Sequence, residues 1–230
     1  MREENRLLAA LPDAERERLS PYLQDTVLEF QQVVIEPNQA ITEIYFPYDS
    51  IASTIQEMSD GDSVETGLTG VEGFVGVQLW LHAPTTPTTT LVQVAGRAHH
   101  MHATDFIRHV RDAHSPLNTL CAKYVHAFLV MTSQTAACNR LHPVNERLCR
   151  WLKLVHNRLG RDEFPLRQEF VAQMLGVHRP TVSTAANMLR QAGLITYSRG
   201  QMRILDAEGL TEGSCECLEL IERQFERIFK

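Results

Sequence analysis

Long apolar runs are missing from this chain, and no stretch approaches the roughly 18 to 20 apolar residues that a bilayer-spanning helix needs. A helical membrane span is therefore not expected. The amino terminus, Met1-Arg2-Glu3-Glu4-Asn5-Arg6, carries acids where a secretion signal would have an apolar core. A cytoplasmic protein is expected. Cysteine is scarce: Cys121, Cys138, Cys149, Cys215 and Cys217 form an odd set with no C-x-x-C pair, and none precedes position 121. In a chain of 230 residues, large enough to fold without staples, reduced thiols are the expectation. Cys215 and Cys217 offer two ligands one residue apart, but the remaining ligands of a zinc site are not near them, so no metal is assigned.

Positive charge is also short overall, with a net charge of −6 that at first speaks against a polyanion as partner. Partition along the chain reverses this. Residues 1–139 carry −9, residues 140–205 carry +7 and residues 206–230 carry −4. A local positive field is what phosphate binding requires, because each neutralised phosphate releases condensed counterions whatever a distant domain carries.

The length fits two domains of roughly 100 to 150 residues each. Residues 5–22 read as one or two short helices, with Leu7, Leu8, Leu11 and Leu19 apolar and a start at Asp13 after Pro12. From about Thr26 the period becomes that of short strands: Val27 to Phe30, Val33 to Ile35, Ile44 to Phe46, Ser50 to Ala52, Val64 to Thr66 and Thr90 to Val94, separated by Pro, Gly, Asn and Asp turns. Many short strands at this spacing indicate an antiparallel roll, barrel or sandwich. The five threonines between Pro84 and Thr90 read as a loop and an edge strand.

The helical period returns after Ala103, and Ser115 to Asn139 contains no Gly, no internal Pro beyond Pro116 and no acid. Leu117, Leu120, Cys121, Tyr124, Phe128, Met131 and Thr135 recur at three- and four-residue spacing, while Val125, Leu129 and Val130 widen the stripe. So apolar a helix cannot be solvated all round; a second copy of the chain is the expected partner for what its own domain leaves uncovered.

Leu166 to Ile195 holds the most informative pattern. Leu166, Phe170, Val171, Met174 and Leu175 form one apolar face, Gly176 supplies the positive φ of a tight turn, and a second helix begins near His178 with Val182, Ala185, Ala186 and Leu189 inward. Its outward side, Arg179, Pro180, Ser183, Thr184, Asn187 and Arg190, is polar, basic and free of acids, as a major-groove reader would be. Pro180 falls in the first turn, where its missing N–H costs little. Leu194 to Tyr197 and Met202 to Leu205 then make a hairpin, a wing whose tip carries Arg199, Gly200 and Gln201 toward phosphate.

Over RQEFVAQMLGVHRPTVSTAANMLRQAGLI and the wing, and more weakly over GVEGFVG at Gly70 to Gly76 and the long helix, the chain resembles the CRP/FNR superfamily of transcription regulators. The resemblance implies an α+β protein: an N-terminal antiparallel β-roll of the cyclic-nucleotide-binding type (a double-stranded β-helix) over 1–114, a long dimerisation helix over 115–141 and a winged helix-turn-helix over 142–230. It implies a homodimer on duplex DNA, with RNA polymerase as a further partner. By the same match, Arg179, Ser183 and Thr184 hold base-reading positions, with Asn187 on the same outward face. Arg167, Gln168, His178, Thr181 and Gly200 lie where DNA backbone contacts are made, with Arg199 at the wing tip. Pro180 stands where the family usually has an acid, and Thr184 where it often has a base, so the family's best-known half-sites do not transfer.

Cyclic-nucleotide binders of the family set a Glu on the ribose and an Arg on the phosphate after a Gly-rich turn; residues 77–90 contain neither. A cyclic phosphate in a closed pocket without a cation would go uncompensated, so no nucleotide cofactor is expected. Four-thiolate iron–sulfur ligation near the amino terminus fails on residue supply. His99, His100 and His102, with His109 and His114 following, keep open a second reading as a metal-binding cupin-like enzyme. A third is a module that dimerises and binds protein.

Overall fold

The computed structural model describes residues 4–110, 112, 114–198 and 200–230. Two short helices, α1 (Arg6–Ala9) and α2 (Asp13–Leu19), open the chain, and the Asn5 side chain caps α1 by accepting from the N–H groups of Leu7 and Leu8. Seven strands follow: β1 (Gln24–Leu28), β2 (Val33–Ile35), β3 (Glu43–Pro47), β4 (Ile51–Glu57), β5 (Ser63–Thr69), β6 (Thr89–Val94) and β7 (Gly96–His102), with α3 (Val77–Trp80) between β5 and β6. They form two antiparallel sheets, β1-β7-β3 and β2-β6-β4-β5, the expected roll. Ile44, Phe46, Ile51, Ile55, Phe74 and Val94 are among the side chains that fill it, each at most 1% exposed. One expectation is corrected. Thr89 and Thr90 belong to β6, which pairs with β2 on one side and β4 on the other; Thr90 is buried against Thr54 and is no edge residue.

After α4 (Ala103–Val110) comes α5 (Pro116–Leu141), 26 residues long and hence about 39 Å. Its buried side, Leu117, Cys121, Tyr124, Val125, Met131 and Thr135, packs on the roll and on the last helix of the chain; at the roll the Tyr124 hydroxyl bonds Thr69 at 2.9 Å. Gly73 makes this approach possible: a Cβ there would overlap the Tyr124 ring. That gives the GVEGFVG turn a packing reason.

The last third of the chain comprises α6 (Val144–Leu159), β8 (Glu163–Pro165), α7 (Gln168–Leu175), α8 (Arg179–Gln191), β9 (Ile195–Ser198), β10 (Gln201–Ile204), α9 (Ala207–Glu212) and α10 (Cys217–Glu226). The wing hairpin is as expected within a residue at each end. Its sheet has the order β8-β10-β9, so a third strand, β8, joins it. Helix α6 packs on α8 and α9 and carries polar links back to the roll: Arg158 Nε bonds Glu72 Oε1 at 2.7 Å with both side chains buried, and Trp151 Nε1 donates to Glu65 at 3.1 Å. Among the described residues no helix is long and apolar enough to cross a membrane.

Candidate nucleic-acid interface

Helix α7 ends at Gly176, whose φ of +59° turns the chain while its N–H and that of Val177 close on the carbonyls of Gln173 and Ala172. His178 is the extended N-cap of α8, and Pro180 sits in the first turn. The helix is divided as its spacing requires. Val182, Ala185, Ala186 and Leu189 are buried against α6 and α7, and full burial of Val182 and Leu189 contributes about 1.5–3 kcal/mol each. The alanines let α7 and α6 come close.

On the opposite side Arg179, Pro180, Thr181, Thr184, Asn187, Met188 and Arg190 are exposed, with no acid of α8 among them. Met188, 53% exposed, is an addition to the polar set read from sequence. Ser183 is half-buried and donates to Gln168 Oε1 at 2.8 Å, so two predicted contact residues on different helices hold each other in place. The Thr184 hydroxyl turns back to the Pro180 carbonyl at 3.1 Å. Arg179 pairs with Glu169 of α7 at 3.1 Å, both well exposed. Glu169 is therefore an acid beside the reading face that the spacing of α8 alone does not disclose.

Arg167 is the N-cap of α7, exposed, and its guanidinium lies 5.7 Å from the Phe30 ring of the roll. Gly200 has a φ of +78°, and its carbonyl accepts from Leu166 N at 2.9 Å, which ties the wing tip to the start of α7. Arg199 lies outside the described residues. His178 and Thr181 are exposed yet border a crevice shared with Asp62, Ser63 and Val64 of the β4–β5 hairpin. Gln173 donates to Ser63 at 2.9 Å across it, and Phe170 packs on Phe30 with ring centroids 5.8 Å apart. The helix-turn-helix thus docks on the roll along its α7 side, while the outer face of α8 stays open.

The histidine cluster does not assemble a metal centre. His99 Nδ1 bonds Asp25 at 2.8 Å, and His100 and His102, on one face of β7 as expected, share Glu43 at 3.1 and 2.6 Å. Each imidazole is engaged by a carboxylate of a neighbouring strand.

Residues 146–212 match the family model of the Crp-like helix-turn-helix domain. No curated protein sequence matches the chain. Among solved structures, FixK2 from Bradyrhizobium japonicum superposes with a TM-score of 0.70 at 12% identity, covering 84% of this chain and 98% of that one. The c-di-GMP-responsive global regulator CLP of Xanthomonas campestris gives 0.66 at 15%, covering 85% and 100%. A CRP-family transcriptional regulator of Thermus thermophilus gives 0.66 at 14%, covering 82% and 96%. The chain thus carries a Crp-like helix-turn-helix over residues 146–212 and, over most of its length, the fold seen in these regulators.

Proposed function

We propose that two copies of the chain pair along α5 and bind a two-fold symmetric DNA operator, with one α8 in the major groove of each half-site. The division of α8 into a buried apolar side and an open, acid-free side carries this reading. Arg179 is the principal base reader, bidentate to guanine, with Ser183, Thr184 and Asn187 beside it. Arg167, Gln168, His178, Thr181, Gly200 and, at the wing tip, Arg199 hold the phosphates. The exposed Arg179–Glu169 pair is worth about 0.2–1 kcal/mol, whereas a bidentate guanine contact discriminates by about 1–3 kcal/mol. Exchange of partners on binding is therefore favourable.

The side of α5 away from the roll supports pairing of two chains. Leu129 is 54% exposed, Ala136 and Ala137 are exposed, and no charged residue falls between Lys123 and Arg140. In this reading residues 1–114 bias the grip, 115–141 join the two copies and 142–230 hold the DNA. RNA polymerase is the further partner and the cytoplasm the place of action. The effector is not a cyclic nucleotide, since residues 77–90 bring no arginine to a phosphate.

Selection of bound duplexes from a random pool tests the reading, together with the mass of the free protein in solution. We expect an inverted repeat, affinity that falls steeply with salt, and a mass twice the 26.1 kDa of the chain. A monomer on and off DNA, or binding indifferent to salt, overturns it.

A further inference from the structure

Four metal-ligand side chains that are far apart in sequence meet where α5 ends. Cys138 and His142 lie one helical turn apart at its carboxyl end, and Cys215 and Cys217 flank the turn from α9 into α10. One ligand atom from each, three Sγ and an imidazole nitrogen, lie within 4.8 Å of one another. The Sγ atoms of Cys138 and Cys215 are 3.5 Å apart, and Cys217 Sγ is 3.5 Å from His142 Nδ1. A tetrahedral zinc with bonds of about 2.3 Å to sulfur and about 2.0 Å to nitrogen needs ligand separations of about 3.5–3.8 Å. The Cys138–Cys215 and Cys217–His142 separations already suit the ion, and the others, at most 4.8 Å, need only a small closure.

Two surrounding features point to a ligand and not to ordinary packing. The other ring nitrogen of His142, Nε2, faces Glu216 Oε1 at 3.3 Å, the carboxylate–imidazole arrangement that orients a histidine toward a metal. On α6, Arg147 and Arg150 are buried in reach of these thiols, and among the described residues neither has a carboxylate within ion-pair distance. Arg147 bonds the Leu175 carbonyl and Arg150 the Thr135 hydroxyl, and the Nε atom of each has no partner. Arg147, buried with no acid among its neighbours, calls for negative charge nearby, and Arg150 has only the more distant Glu65. Three thiolates and one imidazole around a dication supply a net charge of about −1.

We propose that Cys138, His142, Cys215 and Cys217 form a tetrahedral Cys3His site for a zinc ion. Binding releases the three thiol protons, and no electron is transferred. The ion joins the carboxyl end of α5 to the α9–α10 turn, and so fixes the corner, His142 to Val144, through which the DNA-binding domain leaves the long helix. Along the chain Cys215 and Cys217 lacked two ligands; the fold supplies them from a helix 77 residues earlier.

The full chain, purified under reducing conditions without added chelator, is assayed for metal by mass spectrometry and by spectrophotometry after cobalt substitution. About one zinc per chain is expected, and the cobalt form should show the intense visible bands and thiolate charge transfer of a tetrahedral thiolate site. Cys217→Ser and His142→Ala should each lower zinc retention at least roughly tenfold, whereas Cys121→Ala and Cys149→Ala, outside the cluster, should keep it. Because a ligand variant can fail to fold, the cobalt spectrum of the unmodified chain stands as an independent readout. A chain that takes up neither zinc nor cobalt overturns the proposal, as does a Cys138–Cys215 disulfide found in its place or a cobalt spectrum unchanged in Cys217→Ser.

Discussion

Glu65 lies on β5 inside the roll, 6% exposed, yet it reaches the DNA-binding domain by accepting the Trp151 indole N–H at 3.1 Å. Burial pushes its carboxyl up to about 7; bonds from Ser53 and Trp151 and the charges of Arg150 and Arg158 oppose that rise without cancelling it. Ser53 Oγ stands 2.7 Å from Glu65 and 2.6 Å from Gln93 Oε1 and has one proton to give. With the folded value above the ordinary 4.5, Glu65 stabilises the fold fully below about pH 4.5, and this is lost as pH rises through about 7. At about 1.4 kcal/mol per pH unit, that gap amounts to roughly 3 kcal/mol, or a melting shift of up to about 10 °C for a chain of this size. Glu65→Gln keeps an acceptor for Trp151 and removes the titration. The two proteins, melted at one fixed concentration from pH 5 to 8.5, should diverge in favour of the variant as pH rises to about 7 and then hold a constant difference. A difference that stays flat over this range, or that shrinks, would refute the argument.

Three further outcomes are expected. Arg179→Ala should weaken binding to the selected operator by about 1–3 kcal/mol while non-specific affinity changes far less, as read by fluorescence anisotropy; equal loss on every duplex would remove its base-reading role. Arg167→Ala, in contrast, should weaken all duplexes alike and lower the salt slope by about one. Arg158→Ala strands Glu72 in the interior and should cost about 3–5 kcal/mol in denaturant unfolding, with much of it recovered when Glu72→Leu and Arg158→Met are combined.

The helix-turn-helix was legible because its signals are local. Gly176, the inward spacing of Val182, Ala185, Ala186 and Leu189, and the acid-free outer side all lie within thirty residues and depend on backbone periodicity alone. The same holds for the long helix and for the existence of the roll. Helix α6 escaped notice because its buried side carries Arg147, Arg150 and Arg158, which read as surface charge until Leu175, Thr135 and Glu72 are seen opposite them. The three-residue β8 has too little length to show a period; it exists because β10 offers it an edge. His99, His100 and His102 looked like a ligand set, since their sequence neighbours do not reveal Asp25 and Glu43 on adjacent strands.

Periodicity and turn chemistry, which act over a few residues, determined from the sequence alone the succession of roll, long helix and winged helix-turn-helix, the buried and open sides of α8 and the positive segment around it. Tertiary structure alone decided what those elements meet: the Glu169 partner of Arg179, the docking of α7 on the roll, and the gathering of Cys138 and His142 with Cys215 and Cys217. Such contacts join residues separated by tens of positions, and a chain's pattern records only that a side chain is buried, not which distant side chain it is buried against.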